Sequence, residues 1–458
     1  MRRACISEIE VDLVDWSKVP NVCAVALLTL AFASVARYGR TPTSGLWLIG
    51  WLMIVLHFFA FLFLAAPGLW GNFATFVGAS ALACAGMLFM WASVPYRHLT
   101  SSRCMLAVLL GTTTLYLGLF IFEPTVSWAL VLAATLLGIL PLAVVLVSLL
   151  SGFSHPLRWA STALYVALSI FLLIVQNRPD DGMSLAINGV FFTVYFSCFI
   201  YSLYFYWRAT AGAFITIAGF LGWAAVFVVG PLIMALFPNF HLESEVWNLP
   251  KYVVAVGMIL LLLEDQIEHN KYLALHDELT GLPNRRLFQD RLANALERAR
   301  RTRSQTALLL VDLDHFKEVN DTVGHHIGDE LLKRVGDVFV GRVRRSDTVA
   351  RTGGDEFSVI LEEPTSREDA RRVGESLVQL LDNPFDVEGH KVRVGASVGI
   401  AVFPQDASDA ESLCIAADLR MYAGKHVSTS SAGRKSPHSF ESHPLLAVRA
   451  KTGLPLAK

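Results

Sequence analysis

The sequence predicts a multi-span α-helical membrane domain followed by an α/β domain of palm-like architecture. Three observations carry this reading. Between Asn21 and Leu263 only 13 residues bear a formal charge, whereas charges are frequent after Glu264. The uncharged stretches are each near the ~20 residues that a helix needs to cross about 30 Å of hydrocarbon. After Glu264, helical periods alternate with short apolar runs, the pattern of a sheet covered by helices.

The apolar stretches fall at about Val19–Ala36, Leu46–Ala66, Phe73–Val94, Met105–Phe122, Val126–Leu150, Trp159–Val175, Leu185–Trp207, Ala211–Phe237 and Tyr252–Leu263, the last beginning nearer Trp247. Nine spans result. Lys and Arg gather in short cytoplasmic loops. Arg37 with Arg40, Arg97 with Arg103, Arg158, and Arg208 follow spans one, three, five and seven. The loops between them carry no charge, Glu123, Arg178 offset by Asp180 and Asp181, or Glu243 with Glu245. That alternation places residues 1–18 outside as an extracytoplasmic segment. It places everything after Glu264 in the cytoplasm.

Trp47, Trp70, Trp91, Trp128, Trp159, Trp207 and Trp247 lie near span ends, where interfacial anchors belong. Pro141 and Pro231 fall inside spans, where proline is tolerated. His57 is read as mid-span, so it either bonds a neighbouring helix or serves a ligand or proton site. No basic cluster marks a nucleic-acid site. The six cysteines show no CxxC or His-flanked spacing and read as small apolar side chains. Acids at Glu8, Glu10, Asp12 and Asp15 precede the first apolar run, which argues against a cleavable signal.

The last span continues into residues 265–283, a linker helix on which Ile259, Leu263, Ile267 and Leu273 share one face, so it pairs as a short two-stranded coil or stands as a plain helix. Gly281 and Pro283 end it. The domain that follows, 284–428, reads as helix Arg286–Arg301, strand Ala307–Val311, helix Ile327–Val340, strands Thr348–Arg351 and Phe357–Leu361, and helix Arg367–Leu381. A hairpin turning at Glu388 and Gly389, strand Ala396–Phe403 and helix Ser408–His426 complete it. Residues 429–458 read as a disordered tail.

The run "ALLLVDLDHF" ends in Asp312 and Asp314, and "TVARTGGDEFSVIL" is a tight hairpin with Asp355 and Glu356 at its tip. If the two are neighbours, Asp312, Asp355 and Glu356 converge, and their repulsion calls for a divalent cation. Hard oxygen ligands favour Mg²⁺, which takes further oxygens from phosphates. Gly353 and Gly354 leave room for a nucleotide to approach the backbone.

Five blocks, "DELTGLPNRR", "DLDHFKEVNDTVGHHIGD", "RTGGDEF", "ASVGIAVFP" and "ADLRMYAGK", resemble the GGDEF or diguanylate cyclase family over roughly Asp277 to Lys425. The resemblance implies the nucleotidyl-cyclase palm fold and a transferase that condenses two GTP into cyclic di-GMP and two pyrophosphates, with two domains facing each other in a homodimer. It implies Mg²⁺, with Mn²⁺ as a substitute, held by Asp312, the Leu313 carbonyl, Asp355 and Glu356. Asp355 and Glu356 are the catalytic candidates, Asp355 foremost as the base for the attacking hydroxyl. Asn320 and Asp329 match guanine-reading positions, and Lys317 and Lys425 match phosphate contacts. Arg344 and Asp347, an R-x-x-D with five residues between Asp347 and Gly353, match the inhibitory product site.

One departure concerns the G-R-N that usually follows the lysine. Here Thr429 stands where an arginine is expected, and Gly433 and Arg434 come late, which predicts a weaker grip on GTP. The expected protein is a membrane-bound diguanylate cyclase with a sensory span region, lipid around it and product inhibition. The alternative is a catalytically weak or inactive membrane receptor for cyclic di-GMP.

Overall fold

Apolar runs without charge satisfy their backbone polar groups as helices, and the computed structural model shows this in the described residues of the amino-terminal part. It describes residues 14–430 except 40–41, 94–98, 124–126, 151–155, 177, 179–181, 208–209, 238, 240–243 and 365. Two units are distinct, Met1–Glu268 and His269–Lys458.

After a short 3-10 turn at Trp16–Lys18, the first unit contains α1 (Val19–Gly39), α2 (Pro42–Phe61), α3 (Leu69–Ala92), α4 (Leu99–Phe122), α5 (Trp128–Leu150), α6 (Pro156–Val175), α7 (Gly182–Phe205) and α8 (Ala211–Leu236). The ninth helix, α9 (Ser244–Leu275), belongs to this unit up to Glu268. Nine helices are long and apolar enough to cross a membrane among the described residues, the number of spans expected. Each of the first seven packs on its successor, and α3 also packs on α7. Small residues draw α8 and α9 together: a Cβ on Gly257 would lie 2.6 Å from the Thr216 backbone nitrogen. The outer surface is apolar. Leu27 and Leu30 of α1 are 67% and 66% exposed, a surface suited to hydrocarbon.

Two readings in this unit are corrected. His57 is not mid-span: α2 stops at Phe61, so His57 lies in its last turns, where Nδ1 pairs with the Gly78 carbonyl at 2.8 Å. Trp47 is not an interfacial anchor but is buried between Phe32 and Tyr206, whereas Trp70, Trp128 and Trp207 are exposed as expected. Arg40, Arg97, Asp180, Asp181, Arg208 and Glu243, used to orient the spans, lie outside the described residues.

The second unit contains α10 (Arg285–Thr302), β1 (Thr306–Asp314), α11 (Phe316–Val323), α12 (His325–Arg342), β2 (Thr348–Arg351), β3 (Glu356–Glu362), α13 (Arg367–Leu381), β4 (Phe385–Val387), β5 (His390–Val392), β6 (Gly395–Phe403) and α14 (Ala410–Ser430). The main sheet has the order β2-β3-β1-β6, every pair antiparallel, and β4 with β5 forms the separate hairpin. Asn284 caps α10 through the amides of Arg286 and Leu287, and Ser366 caps α13 through that of Asp369.

Strand alternation gives the sheet two apolar faces. Leu309, Val311 and Leu313 pack with α12 and α13, and Leu308 packs with α10 and α14. Burial on both faces is why β1 reads as an unbroken apolar run. Gly399 lets α14 sit almost against β6, since a Cβ there would lie 2.0 Å from the Ala417 carbonyl oxygen. Of the expected tail, residues from 431 onward, including Gly433 and Arg434, lie outside the described residues. Thr429 falls on α14.

Candidate active site

Register decides which acids meet. Asp312 is the last β1 residue paired with β3, and its partner is Glu356. Directly opposed residues point to the same face, and for this pair it is the face covered by α10 and α14. The hairpin tip is drawn to β1 by the Leu313 amide, which donates to the Asp355 carbonyl at 3.2 Å. Leu313 itself is buried in the core. The Glu356 carboxylate folds over Gly353: a Cβ on Gly353 would lie 2.6 Å from Glu356 Oε2. Space beside Gly354 is open to at least 4 Å.

Lys425, near the end of α14, donates from Nζ to Asp312 Oδ1 at 2.8 Å. Burial raises the Asp355 carboxyl above its usual range, and the neighbouring Asp312 carboxylate raises it further. For Lys425, burial pushes the ammonium pKa down, but the hydrogen bond and charge of Asp312, with Asp314 and Asp355 beyond, raise it overall. The acids and the lysine therefore form one coupled electrostatic group.

The hairpin is also held from behind. Arg351 donates to Asp277 Oδ1 at 2.9 Å and, through its second terminal nitrogen, to the Gly354 carbonyl at 2.6 Å. Asp277 in turn accepts from the Thr280 amide and hydroxyl. Burial pushes the Asp277 carboxyl up, yet these bonds from Thr280 and Arg351 hold it below its usual value.

A cavity of about 320 Å³ opens beside the hairpin on the α10 and α14 face. Its wall joins the residues from Thr352 to Ser358 to Arg285 and Phe288 of α10 and to Cys414, Asp418 and Met421 of α14. Burial pushes the Cys414 thiol up to about 11, so it lines this wall as a neutral group.

The remaining candidates form two further groups. Asn320 on α11 meets α12 at Gly328, where a Cβ would lie 1.8 Å from Asn320 Oδ1. That oxygen is buried with no hydrogen-bond partner. Asp329 follows in the first turns of α12, and it and Lys317 are exposed. Arg344 and Asp347 line a separate hollow of about 310 Å³ with Arg342 and Arg372. Asp347 is engaged there structurally, accepting from the Arg344 amide at 2.9 Å and the Glu362 amide at 3.1 Å.

Sequence reasoning assigned no role to Asp277, Arg285, Gly328, Arg351, Arg372 or Asp418. Asp277, Arg285, Gly328, Arg351 and Asp418 all stand inside the motif blocks, so the signal was present without a geometry to interpret it. Arg372 carries no motif signal and is placed only by the packing of α13.

Residues 274–431 match the family model "Diguanylate cyclase, GGDEF domain". The carboxy-terminal unit carries a GGDEF domain. Its relatives include the bifunctional diguanylate cyclase/cyclic di-GMP phosphodiesterase MucR of Pseudomonas aeruginosa, 42% identical over 188 residues, which are 38% of this chain and 27% of MucR. Diguanylate cyclase TpbB of the same organism is 40% identical over 164 residues, 36% of this chain and 38% of TpbB. The chain thus spans between a quarter and two fifths of these relatives. Among solved structures, the isolated GGDEF domain of TpbB is 40% identical, covers 33% of this chain and 89% of its own length, and has a TM-score of 0.33.

Among the described residues, no three His, Cys, Asp or Glu side chains converge closely enough to chelate an ion as they stand. The donor set nonetheless fits a hard divalent cation. It consists of oxygens alone, three carboxylates and the Leu313 carbonyl, and the Asp355 carboxyl is raised in pKa by burial and then by Asp312, a repulsion that a cation relieves.

Proposed function

We propose that this GGDEF domain is a diguanylate cyclase, joining two GTP molecules into cyclic di-GMP with release of two pyrophosphates. The observation that carries the reading is the register that sets Asp312 opposite Glu356, with Asp355 beside them at the tip of an open glycine hairpin. A merely structural turn has no reason to concentrate repelling acids there. The complete acidic set also speaks against a receptor that only binds cyclic di-GMP.

Asp312, the Leu313 carbonyl, Asp355 and Glu356 would hold Mg²⁺ or Mn²⁺, which supplies Lewis-acid stabilisation of phosphoryl charge when bound. Asp355, with its raised pKa, is suited to accept the proton of the attacking 3'-hydroxyl. Because the acids interact, the proton belongs to the coupled group rather than to one residue. Lys425 orients Asp312 and brings positive charge to the phosphate side. The orphaned Asn320 Oδ1 fits a guanine N–H donor, and Asp329 at the start of α12 accepts from the same edge.

Each domain holds one GTP, so turnover needs a homodimer in which each hydroxyl attacks the α-phosphate held by the other. Arg344 and Asp347, with Arg372 across the hollow, form the product site that gives feedback inhibition. The nine-helix unit lies in a bacterial-type inner membrane, with the cyclase in the cytoplasm, and regulates it. The test is mass-spectrometric detection of product from the full-length protein in lipid nanodiscs with GTP and Mg²⁺. One cyclic di-GMP with two pyrophosphates supports the reading. Cyclic di-GMP binding without turnover transfers it to the receptor class.

A further inference from the structure

A second cavity, of about 560 Å³, lies inside the first unit. It sits where α1 and α9 begin and α2 and α8 end, at the end of the bundle opposite to that where α9 leaves this unit. Its size falls within the range of about 300–1,000 Å³ typical of small-molecule sites. Most of its wall is apolar or aromatic, with Phe58, Phe191, Trp223 and Trp247 among the lining side chains.

Among the described residues, the charged groups in that wall are all cationic. These are Lys251 of α9 and Lys18, with the imidazole of His57 beside them, and no described Asp or Glu lines the cavity. Lys251 is only 9% exposed. An ammonium has three donors, and the hydrogen bond recorded for Lys251 goes to Asn248 Oδ1 at 2.7 Å. Its Nζ lies 4.6 Å from the centre of the Phe58 ring and 6.0 Å from that of Trp223. Among the described residues no carboxylate lies within 4.0 Å to form an ion pair with it. A buried ammonium within a membrane span carries a large desolvation cost unless something anionic answers it. Asn21, Ser184 and Asn188 add neutral polar groups to the same wall.

We propose that this cavity binds a small amphiphile with one carboxylate headgroup, the carboxylate pairing with Lys251 and the apolar body lying against the aromatic wall. Charge selects the anion: a cationic headgroup would face two lysines. The apolar lining selects a hydrocarbon or aryl body over a sugar or nucleotide. The site stands independently of the cyclase reading, since none of its residues belongs to the GGDEF domain.

The test is equilibrium binding of radiolabelled octanoate to the full-length protein in lipid nanodiscs, with empty nanodiscs as the partition control. The expected result is saturable binding displaced by unlabelled octanoate and by 3-phenylpropionate, but not by 1-octanol or octyltrimethylammonium. Lys251→Met should weaken binding about tenfold or more, the loss of one charge-assisted contact, while Lys251→Arg retains it. The competitor series uses the unaltered protein, so it decides the matter even if Lys251→Met fails to fold. Binding no greater than to empty nanodiscs, equal displacement by 1-octanol, or a well-folded Lys251→Met protein with unchanged affinity would each overturn the proposal.

Discussion

Lys425 and Asp312 meet at 2.8 Å although 113 residues separate them in sequence, and the contact exists because α14 packs tightly across Gly399 of β6. The lysine lowers the pKa that burial and Asp312 have raised on Asp355. Replacing it with methionine removes that moderating charge. The Asp355 carboxyl then titrates at still higher pH, and its ionised form is lost sooner as pH falls. The acid limb of the kcat/KM profile for GTP should therefore move to higher pH in Lys425→Met, with about tenfold or greater loss of activity. Lys425→Arg should keep the limb in place. An unmoved limb in Lys425→Met would separate the lysine from the acids.

Arg351 ties the hairpin to the turn after α9 through Asp277, and both side chains are largely buried, at 11% and 25% exposure. Removing either partner leaves hydrogen-bonding groups unsatisfied, at a cost of about 1–3 kcal/mol. A double-mutant cycle with Asp277→Ala and Arg351→Met should return a coupling of about 0.5–3 kcal/mol in unfolding free energy. Amide exchange in β2 and β3 should accelerate in both single variants. Strict additivity would show the contact to be idle.

The space between α11 and α12 admits Asn320 only because residue 328 is glycine. Gly328→Ala places a methyl group where Asn320 Oδ1 now lies. The expected outcome is a raised KM for GTP with the fold retained, measured by steady-state kinetics and circular dichroism. A KM equal to that of the parent would remove Asn320 from guanine recognition.

Acid should destabilise the second unit through Asp406. Its carboxylate accepts from Arg420 at 2.7 and 2.8 Å, from Arg367 at 2.6 Å and from the Val402 amide at 2.7 Å. Hydrogen bonds from Arg420 and then Arg367 hold its pKa well below the carboxylate range. A depressed folded-state pKa contributes stability above the unfolded value, near 3.9 for Asp, that is lost as pH falls through the folded value. Asp406→Asn should lower stability at neutral pH by about 1–3 kcal/mol and flatten the stability curve below about pH 4. Thermal melts from pH 3 to pH 7 would check both.

Much of this architecture was legible because each signal was local. Strand β2 and helix α13 begin and end where the sequence predicts, the helix being capped by Ser366 and the strand closed by the Gly353-Gly354 turn. Helix α11 was missed: at eight residues, beginning after a left-handed His315, it is too short to show a period. The acids of the candidate site stand out in the sequence because charge at an apolar strand end is conspicuous. Gly328 and Arg351 were not singled out, because a glycine's close approach and an arginine's partner depend on residues distant in the chain. His57 was displaced because an apolar run does not record where its helix stops, and the run continues to Ala66 while α2 ends at Phe61.

The central claim is that Asp312 and Asp355 act together in making cyclic di-GMP. Its most direct test is kcat for cyclic di-GMP formation at saturating GTP and Mg²⁺, measured on the full-length protein and on Asp312→Asn, Asp355→Ala and the double variant. Members of one catalytic unit are grossly non-additive, so each single variant should lose nearly all turnover and the double variant should lose little more. Turnover within a few-fold of the parent in Asp355→Ala, or losses that simply multiply in the double variant, would contradict the account.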